Sequence, residues 1–418
     1  MSVAESREDG PDTVNLLDPQ TVECPFAAYK KLRDQAPVFQ VPGAGFFVIS
    51  RFEDCAEAAR RHDVFSNDFT SVIAPKPEVA EIFAKGRMEQ GVKTLLTNDP
   101  PSHTRYRALV DKVFSPGRVK KMEGYITRIV HELIDGFIDD GEVELMSRFT
   151  IPLPLSIIAD ELGVPREDMP KFREWSDASV VPFSSMTTLE EEKAAARSLL
   201  EFQDYFAEKF AEKQANPTDD IISDLATTRF EDENRSLNVS EFLSICQQIL
   251  TAGNETTANT IASAMYHLID NPDQMAIARS DVDKHARNIG EETLRYDAPV
   301  QGQWRVVKKD TELHGVKIPA GSVVNLRYGS ANRDERQFDH AEKFDITRNN
   351  ARSHMAFGQS IHFCVGANLA RKEIELAFKG LLPRMKNIRF APGRNDFTHV
   401  PSLTLRGFKH LYLEFEKA

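Results

Sequence analysis

From Asn238 to Asn271 runs one unbroken helical pattern, NVSEFLSICQQILTAGNETTANTIASAMYHLIDN, with Asn238 or Ser240 placed to cap its start and Pro272 to stop it. About 30 residues at 1.5 Å each make a rod of roughly 45 Å, enough to cross a whole domain. Phe242, Ile245, Ile249, Ile261, Met265 and Leu268 recur near helical spacing, so much of the rod is core and the fold must pack around it. Its middle departs from that pattern. Ala252-Gly253-Asn254-Glu255-Thr256-Thr257 sets a glycine, a carboxylate and two hydroxyls where aliphatics are expected, and the glycine alone costs about 1 kcal/mol relative to alanine. Two readings stand. Either a flat ligand approaches the backbone here while a threonine hydroxyl competes for a carbonyl and loosens the helix, or the segment is an exposed stripe on an amphipathic helix.

The flanking sequence reads as mainly α with small β-sheets. FAAYKKLRDQAP is a short helix stopped by proline, and PVFQVPGAGFFVISRF follows as strands joined by a turn. Helical periodicity dominates from Ser102 to Lys213, and strand signals return after Pro299 in QWRVVKKDTELHGVKIPAGSVVNLRYG. No composition break, repeat or low-complexity tract divides the chain. Residues 1–19 are therefore expected to form a flexible, polar arm and residues 20–418 a single domain.

Several function classes are disfavoured at once. A net charge of −12 lacks the basic surface that nucleic acid requires. No apolar run of about 18 residues and no cationic-then-apolar leader is seen, so neither a membrane span nor a secretory signal is expected, and the cytoplasm is the default location. The four cysteines, Cys24, Cys55, Cys246 and Cys364, show no paired spacing, which fits a reducing compartment and argues against structural zinc.

One cysteine stands out by its flanks. His354-Met-Ala-Phe357-Gly358-Gln359-Ser360-Ile361-His362-Phe363-Cys364-Val365-Gly366 precedes the helical run ANLARKEIELAFKGLL. A cysteine before a helix start is suited to be a thiolate, because the N-terminal N–H groups stabilise negative charge, although an isolated cysteine is more often a small buried hydrophobe. The segment resembles the haem loop of the cytochrome P450 family, Phe-Gly-x-Gly-x-His-x-Cys-x-Gly. Phe357, Gly358, His362, Cys364 and Gly366 match it, while Ser360 replaces the second glycine, so the turn must accommodate a side chain there.

Further matches follow the family's order. Glu292-Thr-Leu-Arg295 resembles its Glu-x-x-Arg pair, an i, i+3 ion pair expected to hold Arg348 as well. Asp99-Pro-Pro-Ser-His103-Thr-Arg-Tyr-Arg107 is similar to the segment entering the helix beside the haem, and the polar interruption of the long helix resembles the oxygen-activation site. Spanning roughly residues 20 to 415, the resemblance implies the P450 fold, haem b and a monooxygenase reaction with O2. It implies Cys364 as axial iron ligand, with Phe357, His362 and Gly366 around the cofactor. His103, Arg107, Arg305 and His354 would be partners of the propionates, since two buried carboxylates need compensation. Glu255 and Thr256 would be the acid and alcohol that deliver protons.

The family's variable segments would contribute Val180, Val181, Phe183, Leu243, Ala252, Gly253, Val300 and Leu403 to an apolar pocket, with Gln301 orienting a polar group; a core role for each is an equally open reading. The substrate is then a small-to-medium apolar compound such as a terpenoid, steroid or aromatic. No flavin or iron–sulfur motif is present, so electrons must come from another protein. The resemblance suggests an acidic 2Fe-2S ferredoxin with its reductase, docking near Cys364, where Arg105, Lys112, Arg118, Lys120, Lys121, Arg352, Arg371 and Lys372 flank the loop. Two other classes stay open: a haem-based sensor, which needs no acid–alcohol pair, and a haem-thiolate catalyst driven by peroxide.

Overall fold

The computed structural model of the chain describes residues 10–184, 186–230 and 233–418. Its axis is the helix Val239–Asp270, 32 residues long. Asn238 starts it with a reciprocal cap: its side chain accepts from the Glu241 N–H at 2.8 Å, and the Glu241 carboxylate accepts from the Asn238 N–H at 2.9 Å. Thr251, Thr256 and Thr260 donate to the carbonyls four residues back at 2.9, 2.8 and 2.8 Å. The loosening expected at Thr256 does not occur. The segment stays α-helical, since each hydroxyl uses the second lone pair of a carbonyl already in the helix ladder.

Burial of the apolar stripe explains what surrounds this rod. Phe242, Ile249, Ile261, Met265 and Leu268 join one large cluster with Ile126 and Val130 of the helix Pro116–Asp135, Ile157 and Ile158 of Pro152–Glu161, Phe206 of Leu189–Ala215, Ile289 of Val282–Tyr296 and Phe378 of Ala367–Arg384. At roughly 1.5–3 kcal/mol for each large side chain fully buried, this cluster dominates the driving force of folding. The long helix is thereby wrapped on most sides.

A five-stranded sheet closes one flank in the order Val38–Gln40, Phe46–Ile49, Val323–Leu326, Gln303–Val307, Phe65–Ser66. Phe46–Ile49 runs parallel to Val323–Leu326, and the remaining pairs are antiparallel. Val324 stands opposite both Phe47 and Arg305, so the sheet joins distant parts of the chain and fixes Arg305 in a central strand. Met385–Phe390, Tyr412–Lys417 and Glu142–Glu144 form a smaller sheet. The architecture is mainly α with small sheets, as the periodicity indicates.

The N-terminal expectation is corrected in part. Residues 1–9 lie outside the described residues. Residues 10–19, however, are packed: Val14 and Leu16 are buried against Tyr29, Leu32 and Phe39, and Asp18 caps the short helix Pro19–Glu23 by accepting from the Thr21 N–H at 3.0 Å. Two apolar side chains two residues apart are enough to dock the segment on the sheet.

The Glu292-x-x-Arg295 pair is fully buried and bidentate, with Nε and Nη2 of Arg295 each 2.8 Å from a carboxylate oxygen. Arg348 approaches the same carboxylate at 3.2 Å, and the Asp345 N–H donates to it at 2.8 Å. Arg295 also donates to the carbonyls of Asn332, Ala341 and Lys343. The trio ties the helix Val282–Tyr296 to the segment leading into the cysteine loop.

Candidate active site

The loop before the helix Ala367–Arg384 is wound tightly. Gly358 sits at φ +68°, where an added Cβ would meet the His362 carbonyl at 3.3 Å. Ser360 takes φ +61°, a left-handed conformation costing a non-glycine residue about 1–2 kcal/mol. The family's second glycine has that freedom; here the turn is kept with a serine. The Cys364 N–H donates to the Phe357 carbonyl at 2.8 Å and closes the loop. Burial pushes the Cys364 thiol up, while N–H bonds from Gly366 and Ala367 and the charges of Arg107 and Arg371 pull it back. A cysteine at a helix start, facing backbone N–H groups, is arranged for a thiolate that a cation must complete.

The helix Ser102–Val113 delivers His103 and Arg107 one turn apart on one face. The His103 ring lies 4.0 Å from the His362 ring, and Arg107 Nη1 donates to the Phe363 carbonyl at 2.6 Å. Arg305 reaches the same region from its central strand. Burial holds the His362 imidazole down at about 2, with His103 and Arg305 adding to the effect; burial also lowers His103. His103 Nδ1, His362 Nε2 and Arg305 Nε are buried without a hydrogen-bond partner. Asp99, the nearest acid, is held by Lys308, Ser66 and the Asn67 N–H. Several donors thus converge where, among the described residues, no carboxylate hydrogen-bonds to these three nitrogens.

On the long helix, Ala252 is exposed although Leu250 and Asn254 on either side are buried. The middle of the long helix therefore borders open space. Thr256 lies one turn on, and its Oγ1 donates to the Ala252 carbonyl at 2.8 Å. Glu255 turns towards the helix Met169–Val180. Burial pushes its carboxyl up; a 3.2 Å bond from Asn259 opposes this, Asp177 adds to it and Arg173 offsets it.

The family model described as Cytochrome P450 matches residues 171–388. The monooxygenase PikC of Streptomyces venezuelae is 33% identical, the alignment covering 94% of this chain and 91% of the relative. The chain belongs to the cytochrome P450 family. Among solved P450s, CYP109Q5 of Chondromyces apiculatus superposes with a TM-score of 0.86 at 33% identity, covering 97% of this chain and 98% of that one. CYP109E1 of Bacillus megaterium in complex with corticosterone gives 0.82 at 32% identity, covering 94% and 99%.

P450s bind haem b through a cysteine thiolate, and the residues present fit that group. The unpartnered nitrogens of His103, His362 and Arg305 would supply what two buried carboxylates need, and Cys364 would supply the sulfur. His354 is not part of this cluster. Its Nε2 is 3.1 Å from Glu291, its Nδ1 accepts from the Ala356 N–H at 3.2 Å, and Glu291 in turn pairs with Arg371 at 2.7 Å. Burial pushes Glu291 up, but His354 and Arg371 outweigh it and hold the carboxyl at about 2. Both ring nitrogens being used beside a carboxylate, the expectation of a propionate partner at His354 is replaced by that of a brace for the loop.

The substrate expectations divide similarly. Leu243 is 0% exposed and belongs to the core, and an added Cβ on Gly253 would meet Ile158 at 3.0 Å, so this glycine admits a neighbouring helix rather than a ligand. Gln301 is buried and committed, accepting from the Tyr29 hydroxyl at 3.0 Å and donating to the Ala298 carbonyl at 2.7 Å. Val300 bridges Leu405, and Leu403 packs against the N-terminal cluster. Val180 and Phe183 stay half-exposed; Ser185 between them and Met186 lies outside the described residues. Two contributors went unread in the sequence: Tyr328, whose hydroxyl bonds Arg305, and Glu291, the acid beside the Glu-x-x-Arg glutamate. The doubled Glu291-Glu292 was the one available signal.

Proposed function

We propose that this P450 acts as one catalytic unit over residues 20–418, in the cytoplasm, oxidising an apolar steroid, terpenoid or aromatic with O2 and electrons from a 2Fe-2S ferredoxin and its reductase. The observation that carries the site assignment is the convergence of unpartnered buried donors beside Cys364. The opening at Ala252 and the relative solved with corticosterone support an apolar substrate of steroid size.

Haem, held here through a cysteine thiolate, would supply O2 activation chemistry. The Gly366 and Ala367 N–H groups would hold Cys364 as the sulfur ligand, and His103, His362, Arg305 and Arg107 would hold the propionate end. Thr256 spends its proton on the Ala252 carbonyl, which leaves its lone pairs to hold a water on the open side. Glu255, whose carboxyl burial pushes up, faces the exposed Arg173–Asp177 pair, whose atoms stand 3.0 Å apart, and is the acid that would pass protons from that side. Thr256→Ala is expected to leave haem content and substrate binding near wild type while product per electron falls several-fold and hydrogen peroxide rises. Unchanged coupling in both Thr256→Ala and Glu255→Gln removes the proton-delivery role.

The docking face is narrower than the list of flanking cations. Arg118 pairs with Glu161 and Asp224, Arg371 with Glu291, Lys372 with Glu123 and Glu375, and Arg105 with Glu233. Lys112, Lys120 and Lys121 are exposed, Arg352 is exposed and only reaches Glu291 at 3.9 Å, and Phe363, next to Cys364, is a large apolar side chain 40% exposed. Charge reversal at Lys112 or Arg352 should slow ferredoxin-driven reduction several-fold at low salt and leave dithionite reduction and substrate binding unchanged. The gap should close as the screening length shortens to about 8 Å. Equal rates for wild type and both reversals across a salt series refute this patch.

A further inference from the structure

The first half of the long helix carries polar side chains along one row. Ser240 and Ser244 are buried, and Gln248 follows one turn later, so the three stand at i, i+4 and i+8. Hydroxyls inside a helix ordinarily bond back to its own carbonyls, as those of Thr251, Thr256 and Thr260 do. These three side chains bond outwards instead. Ser240 Oγ accepts from the Glu89 N–H, Ser244 Oγ lies 2.9 Å from the buried Thr94 Oγ1, and Gln248 Oε1 accepts from the Leu96 N–H at 2.8 Å. Gln248 Nε2 also donates to Thr94 Oγ1 at 2.7 Å and to Ser244 Oγ at 3.1 Å, which closes a ring of three side chains.

The segment they hold has no regular structure of its own. Residues 84–101 form neither helix nor strand, and among the described residues no backbone group from 87 to 96 bonds the backbone of another element. Its ends are fixed. The helix Pro77–Phe83 precedes it, and Asp99 after it accepts from Ser66 Oγ at 2.6 Å and from the Asn67 N–H at 2.9 Å. On the other side Gln203 Oε1, from the helix Leu189–Ala215, accepts from the Arg87 and Met88 N–H groups at 2.9 and 3.1 Å. Gly86 permits that approach, since an added Cβ there would run into Gln203 Oε1. Met88 and Leu95 are only partly buried. A strap tied by side-chain hydrogen bonds over few apolar anchors opens at a cost well below global unfolding.

Position gives the strap its consequence. One turn beyond Gln248 on the same row stands the exposed Ala252. Leu96, whose N–H Gln248 holds, is 38% exposed although Thr94 and Thr97 near it are buried. We infer that Gln248 is a positioning residue: its amide clips the 87–96 strap to the long helix, and release of the clip sets the rate at which organic ligands enter and leave the space beside Ala252. This rests on the reading above that an organic substrate is oxidised beside that helix, and it adds a gate to that site.

The test uses the haem-loaded protein with imidazole and 4-phenylimidazole as probes, followed by stopped-flow at the Soret band. Gln248→Met keeps the chain length and removes the amide's bonds to Leu96 and Thr94. It should raise the association and dissociation rates of 4-phenylimidazole together by roughly five- to tenfold, the scale of one or two net hydrogen bonds, with affinity held within about twofold. Imidazole, the smaller probe, should change less. Thr94→Val removes the strap's half of the ring, should act in the same direction, and covers the case in which Gln248→Met does not fold. Gln248→Glu, which retains an acceptor for Leu96, should fall between wild type and Gln248→Met. Hydrogen exchange at the Glu89 and Leu96 amides should quicken together in Gln248→Met, because the strap opens as one piece. Wild-type rates in both Gln248→Met and Thr94→Val overturn the inference, as does a change in affinity carried by the dissociation rate alone, which would make Gln248 part of the pocket wall. A Soret band that imidazole leaves unmoved in wild type overturns the haem reading instead, while exchange at Leu96 still tests the clip.

Discussion

Glu292→Ala should lower folding stability by about 3–5 kcal/mol, the range for removing one member of a buried, hydrogen-bonded ion pair. The carboxylate is fully buried and answers two guanidinium groups and the Asp345 N–H, so its loss strands both Arg295 and Arg348. Arg295 would still have the carbonyls of Asn332, Ala341 and Lys343, but carbonyl dipoles do not neutralise two buried cations. Because Arg348 is also bonded to the Asp339, His340 and Lys343 carbonyls, the damage should spread along the segment that enters the cysteine loop. The urea midpoint and haem content of the purified variant are the measurements. A large fall in both is expected, with Glu292→Gln intermediate because an amide keeps an acceptor. A wild-type midpoint in Glu292→Ala would show that the trio is a dispensable ion pair.

What could be read from the chain without coordinates was whatever depends on neighbours in sequence. The long helix carries its own cap, stripe and stop, and the loop before Ala367 carries its glycines, histidine and cysteine within ten residues. The Glu292–Arg295 pair is set by i, i+3 spacing. Roles that depend on what lies across a gap stayed open in the sequence. Gly253 looked like room for a ligand because its sequence neighbours are polar, but its space is taken by Ile158 from another helix. Gln301 looked free to meet a substrate, yet Tyr29, 272 positions away in sequence, holds it. His354 is a brace because Glu291 and Arg371 fold onto it. Val14 and Leu16 sit in a polar stretch with no periodicity, so only the facing sheet reveals them as core.

The account rests on Cys364 as the iron ligand, and replacing it should have the largest effect of all. Cys55 and Cys246 are buried thiols that burial pushes far up, and Cys24 is exposed, so none has the helix-start N–H groups that face Cys364. A thiolate gives the reduced CO complex of a P450 the red-shifted Soret band that names the family, whereas an imidazole ligand does not. The decisive measurement is the CO difference spectrum of the dithionite-reduced protein, wild type against Cys364→His. Wild type should show the red-shifted band and Cys364→His should lose it completely; a surviving band in Cys364→His would contradict the assignment and pass ligation to Cys24, Cys55 or Cys246.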